Sequence, residues 1–282
     1  MDSGGPLNPI GHTKPGAILY EHMFVEYRPR LVFPGPGREP AEGYLALLAE
    51  RTRPVSSSQT RLLPVLSPLA GLLPDGSLRR GTTIVVSGLT SAGGPDPSGG
   101  GISLAMSLLA AASGAGSWCA LVGLPGLGAV AAHDMGLDLD RLPVVPHPGA
   151  AWAEVAAALI DGVDLVVLCP PFPPRPVMAR RLVARTRERR TVLVVLPGRS
   201  GWPEHPDVHL SVSDMHWDGA GTGDGYLQRR RMTVIARGRR SATRPRHHHL
   251  WMPSTTGAVE AAGTGIDIDV AAPAVAGPMA RT

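Results

Sequence analysis

Between residues 82 and 197 the chain alternates two hydrophobic rhythms. Five short runs are almost wholly apolar, at 82–86, 118–122, 142–146, 164–169 and 191–196. Runs of that kind fit strands buried on both faces. Between them lie four stretches with apolar residues three and four apart, at 102–113, 127–135, 150–161 and 176–189. In the first of these, Leu104, Leu108, Ala111 and Ala112 share one face of a 3.6-residue period. Strand and helix in alternation predict an α/β fold with a parallel, doubly wound sheet. After Pro197 the rhythm becomes period two. Val208, Leu210 and Val212 alternate with His209, Ser211 and Ser213. Residues 226–236 and 250–252 are also strand-like, and Gly219, Gly221, Gly223 and Gly225 mark a turn-rich connector. These segments predict an antiparallel C-terminal meander on one edge of the sheet.

The two ends lack either rhythm. Residues 1–53 mix Pro, Gly and both charges, with only 39–51 helix-like, and are expected to be a mostly disordered extension. Residues 254–282 are largely Ala, Gly, Pro and Thr and are expected to be a disordered tail. That leaves 54–253 as the core domain. Its lead-in, 62–73, sets apolar pairs between Pro and Gly. Hydrophobic residues make up 43% of the 282 but aromatics only 4%, so Ala, Val and Leu must fill the core. No signal-peptide series opens the chain, and no apolar run nears the ~18 residues of a membrane span. A cytoplasmic protein without a membrane partner is expected. Cys119 and Cys169 sit in apolar runs with no CxxC spacing and read as buried free thiols.

Residues 82–116, TTIVVSGLTSAGGPDPSGGGISLAMSLLAAASGAG, place a glycine-rich loop between a strand and a helix. That layout resembles a phosphate-binding P-loop. Such a loop needs a Lys on the β/γ-phosphates and a Ser or Thr hydroxyl on Mg²⁺. In one register Gly88 and Gly93 are followed by Gly94 and Pro95. In the other Gly100 is followed by Gly101 and Ile102, with Ser103 one place late. Lys14 is the only lysine in the chain, so neither register supplies the cation. Gly88, Gly100, Gly101 and Ser103 remain as vestigial nucleotide contacts. No ATP or other cofactor is expected.

Net charge is +4, and nearly all the basic residues are arginine. Two runs concentrate them. Residues 175–190 hold Arg175, Arg180, Arg181, Arg185, Arg187, Arg189 and Arg190 against one acid, Glu188. The second run holds Arg229, Arg230, Arg231, Arg237, Arg239 and Arg240, then Arg244 and Arg246. No acid lies between residues 226 and 249. The first six of that run are the candidate DNA-binding residues, through phosphate contacts that carry affinity without sequence information. On a strand, Arg229 and Arg231 point one way and Arg230 the other. Trp202, Trp217 and Trp251 lie nearby, as stacking or packing groups. Three consecutive residues, His247 to His249, cannot all face one ion from a strand, so no metal site is expected. No nucleophile–base set is visible, and no catalytic residue is assigned.

The order of elements resembles the RecA core: parallel β/α units led by a glycine loop, then a meander. The segments LRRGTTIVVSG, GSWCALVGLP, LVVLCPP, TVLVVLPG and RRRMTVIARGRR are similar to actinobacterial RecA-like proteins of the ImuA type. The resemblance covers roughly residues 61–252. It implies a degenerate RecA-like accessory protein of mutagenic translesion synthesis and the SOS response. Its partners would be an ImuB-like Y-family polymerase homologue and single-stranded DNA. It also locates two further ATPase parts that are missing here. A Walker B Asp would follow residues 165–168, where Cys169 and Pro170 stand. A catalytic carboxylate would follow the second strand, where Gly123, Leu124 and Pro125 stand. The DNA-binding loops of RecA would fall at 170–176 and 197–206, both short and proline-stiffened. RecA-like proteins often pack through a strand or helix from outside the core, so the resemblance implies 62–73 as one candidate dock. Two rival readings are a DNA-dependent ATPase with an unusual loop and a SulA-like division inhibitor.

Overall fold

The apolar runs form the inner strands of one sheet. The computed structural model describes residues 61–91, 94–95, 97–198, 201–220, 225–239 and 245–263. In chain order its strands are β1 (Leu62–Leu63), β2 (Leu78–Arg79), β3 (Thr83–Ser87), β4 (Thr90–Ser91), β5 (Gly94–Pro95), β6 (Cys119–Val122), β7 (Val144–Val145), β8 (Leu165–Leu168), β9 (Val192–Val195), β10 (Val208–Ala220), β11 (Gly225–Gly238), β12 (Arg246–Trp251) and β13 (Glu260–Ala261). The helices are α1 (Ile102–Gly114), α2 (Ala129–Asp134), α3 (Trp152–Gly162) and α4 (Pro176–Arg189). Nine strands form the main sheet, in the order β13-β12-β11-β10-β3-β9-β8-β6-β7.

From β10 to β7 neighbouring strands run parallel. Parallel neighbours need long crossovers, which the helices provide. β10 belongs to both halves of the sheet. It lies parallel to β3 on one side and antiparallel to β11 on the other. The meander continues antiparallel through β12 to β13. The described chain therefore runs past residue 253, since Leu250 and Trp251 pair with Ala261 and Glu260. The sheet's two edge strands, β7 and β13, are each two residues long.

Alternate residues of β3 feed two cores. Ile84 and Val86 face Leu104, Leu108 and Ala112 of α1. Val85 faces the other side, with Trp152 and Ile160 of α3 and Leu182 of α4. The lead-in is built largely into this domain's own core. Leu69, Leu72 and Leu73 are buried in the α1-side core, and Arg246 Nη1 holds the Leu73 carbonyl at 3.2 Å. Leu62 is the exposed large apolar side chain of the segment, and Val65 and Leu66 are partly buried. β12 also starts earlier than its apolar pattern indicates. His248 packs inward against Gly71, so a polar side chain takes a core-facing position.

No helix among the described residues is long and apolar enough to cross a membrane. The expectations for residues 1–53 and the far C-terminal tail, and for Gly93, Gly221, Gly223, Arg240 and Arg244, lie outside the described residues.

Candidate functional site: the glycine loop and the arginine strands

β3 ends at Ser87 and α1 begins at Ile102. Between them β4 and β5 form a small hairpin, pairing Thr90 with Pro95 and Ser91 with Gly94. Gly94 and Pro95, which the first register sets where Lys and Ser or Thr belong, are thus one strand of a hairpin. The loop then closes on itself, with the Leu89 N–H donating to the Gly99 carbonyl at 2.8 Å. A backbone N–H that cradles a phosphate must face it; this one faces the chain.

Gly100 has φ 86, a left-handed conformation that glycine adopts without penalty. A Cβ at that position would lie 2.7 Å from Met232 Cε and 3.5 Å from Met215 Sδ. At Gly101 it would lie 3.0 Å from the Gly88 nitrogen and 3.5 Å from Leu196 Cδ2. Met232 and Leu196 are fully buried. The structure thus brings Gly88, Gly100 and Gly101 together around thioether and methyl groups. Ser103 is half-buried in the first turn of α1, and its carbonyl accepts from Ser107 Oγ at 2.8 Å.

The remaining two stations are also occupied by other chemistry. Cys169 follows β8, half-buried, with its thiol pushed up by that burial. Gly123 follows β6 with φ 78, and a Cβ there would collide with the Cys169 carbonyl oxygen. No side chain, a carboxylate included, fits at Gly123 without backbone movement. The nearest acids in sequence sit at the other end of β8. Asp164 pairs with Arg80 at 2.7 Å and accepts the Trp118 N–H at 3.0 Å. Asp161 takes a close two-point contact from Arg185, and Arg189 lies 3.0 Å away.

One polar pair escaped sequence reasoning. Ser87 Oγ lies 2.9 Å from His209 Nε2, because β3 and β10 pair with Val85 opposite His209. Burial lowers the His209 pKa, and the nearby Arg237 lowers it further. A nucleophile–base pair orients its imidazole with a carboxylate. Here the charged neighbour is a cation, and the pair is a contact that ties β3 to β10. The only signal for it was the polar alternation of residues 207–215.

The arginine runs separate into distinct groups. On α4, Arg185 and Arg189 are tied to Asp161, and Arg180 to Glu204 at 3.3 Å. On β11, Arg230 points inward and is 8% exposed. Its Nε donates to the Met252 carbonyl at 2.6 Å, and its guanidinium carbon lies 5.2 Å from the Trp217 ring centroid. Arg229 pairs with Asp218 at 2.8 Å. Arg231 is partly buried on the outward face, while Arg237 and Arg239 are exposed. Trp202 packs into the α3–α4 core. His247 and His249 alternate with His248, and His249 Nδ1 meets Thr233 Oγ1 at 3.1 Å. Among the described residues no group of three His, Cys, Asp or Glu is placed to hold a metal ion.

Residues 71–204 match the family model of the MT3502 N-terminal domain. The uncharacterised protein Rv3395c of Mycobacterium tuberculosis (strain ATCC 25618 / H37Rv) is 40% identical over 157 residues. That stretch is 55% of this chain and 66% of that protein, so the match spans part of each. The crystal structure of the RadB recombinase superposes with a TM-score of 0.50 at 15% identity, over 70% of this chain and 97% of that one. At that identity the likeness is one of fold, and the fold is RecA-like.

Proposed function

We propose that this chain is a RecA-fold accessory protein of the DNA damage response that works through its surfaces and does not turn over ATP. The observation that supports this is the packing of the glycine loop, where Met232 and Met215 lie against Gly100 in a core that contains no lysine. Phosphoryl transfer needs a cation on the β/γ-phosphates and an oxygen on Mg²⁺. A thioether supplies neither. The function then rests on binding. By its resemblance to ImuA-type proteins, the partner is an ImuB-like Y-family polymerase homologue and the setting is mutagenic translesion synthesis. The outward face of β11, carrying Arg231 and Arg237, suits the phosphates of single-stranded DNA.

The test combines turnover with binding. Purified full chain with radiolabelled ATP and single-stranded DNA should give no phosphate release above background, and release would overturn the proposal. Arg231→Ala with Arg237→Ala should weaken single-stranded DNA binding and flatten its salt dependence, by about one unit of slope for each phosphate left unneutralised. Arg230→Ala should leave that slope unchanged and lower stability instead. In cells, deletion should abolish damage-induced mutagenesis.

A further inference from the structure

The N-terminal ends of β3 and β10 open onto a cleft of about 650 Å³. It lies at the end of the parallel strands opposite the glycine loop. Gly81 and Thr82 form its floor. Its walls are the turn carrying Asp75 and Arg79, the last turn of α4 with Arg187, and the segment pair holding Asp207 and Arg239. The approach of α4 is close, since a Cβ on Gly81 would be 3.6 Å from the Arg187 Cα.

Charge in the cleft is unevenly satisfied. Arg79 is held by Asp75 at 2.9 Å, and Arg80 by the buried Asp164 at 2.7 Å. The Asp207 carboxylate accepts the Thr83 N–H at 2.9 Å. Both acids that line the cleft are therefore engaged by the protein. The side chains of Arg187 and Arg239 are exposed and make no hydrogen bond or ion pair among the described residues. Four arginines line the cleft against Asp75 and Asp207, and with Asp164 holding Arg80 from behind, one positive charge is left in excess in a concave site. Concavity focuses that excess positive potential. Guanidinium forks match the oxygens of phosphate two at a time.

We infer that this cleft binds a phosphate-bearing ligand, gripped by Arg187 and Arg239 with Arg79 and Arg80 behind them. Its volume lies within the ~300–1,000 Å³ of small-molecule sites, so it has room for more than a bare phosphate. The shared chemistry is the phosphoryl group, whether on a free oligophosphate or on a nucleic-acid strand. The site is separate from the glycine loop, and Arg239 lies two residues beyond Arg237 of the β11 face invoked above.

Titration calorimetry of the full chain at low salt tests the inference with two probes, sodium pyrophosphate and a ten-nucleotide oligothymidylate. At least one probe should bind, with Arg187→Ala and Arg239→Ala each weakening it about tenfold. The probe that loses affinity identifies the source of the phosphate. Arg181→Ala, on the same helix but outside the cleft, should change affinity less than twofold. All three side chains are exposed, and matching circular dichroism melts would establish that the variants fold. Absence of binding by both probes would overturn the inference. So would retained affinity in Arg187→Ala and Arg239→Ala, or an equal loss in Arg181→Ala.

Discussion

The guanidinium carbon of Arg229 sits 3.9 Å from the centroid of the Trp251 ring. Arg229 lies on β11 and Trp251 on β12, where Trp251 is registered with Arg231. A cation over an indole face contributes about 0.5–2 kcal/mol, depending on how far it is desolvated. A urea-unfolding cycle of Arg229→Ala and Trp251→Ala should give a coupling of about 0.5–1 kcal/mol. Zero coupling would make the ring a neutral wall and would free Trp251 for base stacking.

Gly100 combines a left-handed backbone with a methionine contact, whereas Gly257 has φ 84 and open space around it. Gly257→Ala should therefore cost only the backbone term, about 1 kcal/mol. Gly100→Ala should cost about 1–3 kcal/mol more, because Met232 must move out of a packed core. Thermal melts of the two variants separate the terms. Equal losses would show that the methionine contact is loose.

Asp164 and Asp75 both face arginines, at 4% and 36% side-chain exposure. Asp164→Asn should destabilise by about 3–5 kcal/mol, since it removes one member of a buried ion pair. Asp75→Asn should change stability by less than about 1 kcal/mol, as exposed pairs do. Urea midpoints check both values, and similar shifts would contradict the burial difference.

The Asp161 carboxyl is held below its ordinary value of 3.8, first by the hydrogen bond from Arg185 and then by the charges of Arg185 and Arg189. A lowered folded-state pKa means that its stabilisation is complete above the unfolded value. It is lost as pH falls through the folded value. The stability difference between wild type and Asp161→Asn should be flat at neutral pH and shrink below about pH 4. Urea titrations from pH 6 to pH 2 measure it. A difference that grew on acidification would reverse the assignment.

Much of the fold was legible because its strands are extreme. Residues 165–168 and 192–195 are fully buried on both faces, so their composition alone marks them. That no lysine follows the glycine loop was also legible, since Lys14 is the only one, while the resemblance to RecA marked Cys169 and Gly123 as the other two stations. What fills the loop was not legible. Met232 reaches Gly100 only because β11 lies two strands from β3, and no local pattern records that pairing. The Ser87–His209 contact was hidden for the same reason. Period-two alternation did separate Arg230 from Arg229 and Arg231. It could not say that the face of Arg230 is the inner one, where the Met252 carbonyl receives it. The arginine cleft was the least visible feature, because its side chains come from a hairpin, a helix end and two distant strands.

The shortness of β7 and β13 leaves part of the sheet's margin uncovered. A long, flat edge strand offers a row of unpaired backbone groups on which another chain can add a strand. Here β13 covers only Leu250 and Trp251 of the six-residue β12, so no strand pairs Arg246–His248 on that side among the described residues. What blunts that stretch is its side chains, Arg246 and the imidazoles beside it, since charged residues on an edge disfavour an added strand.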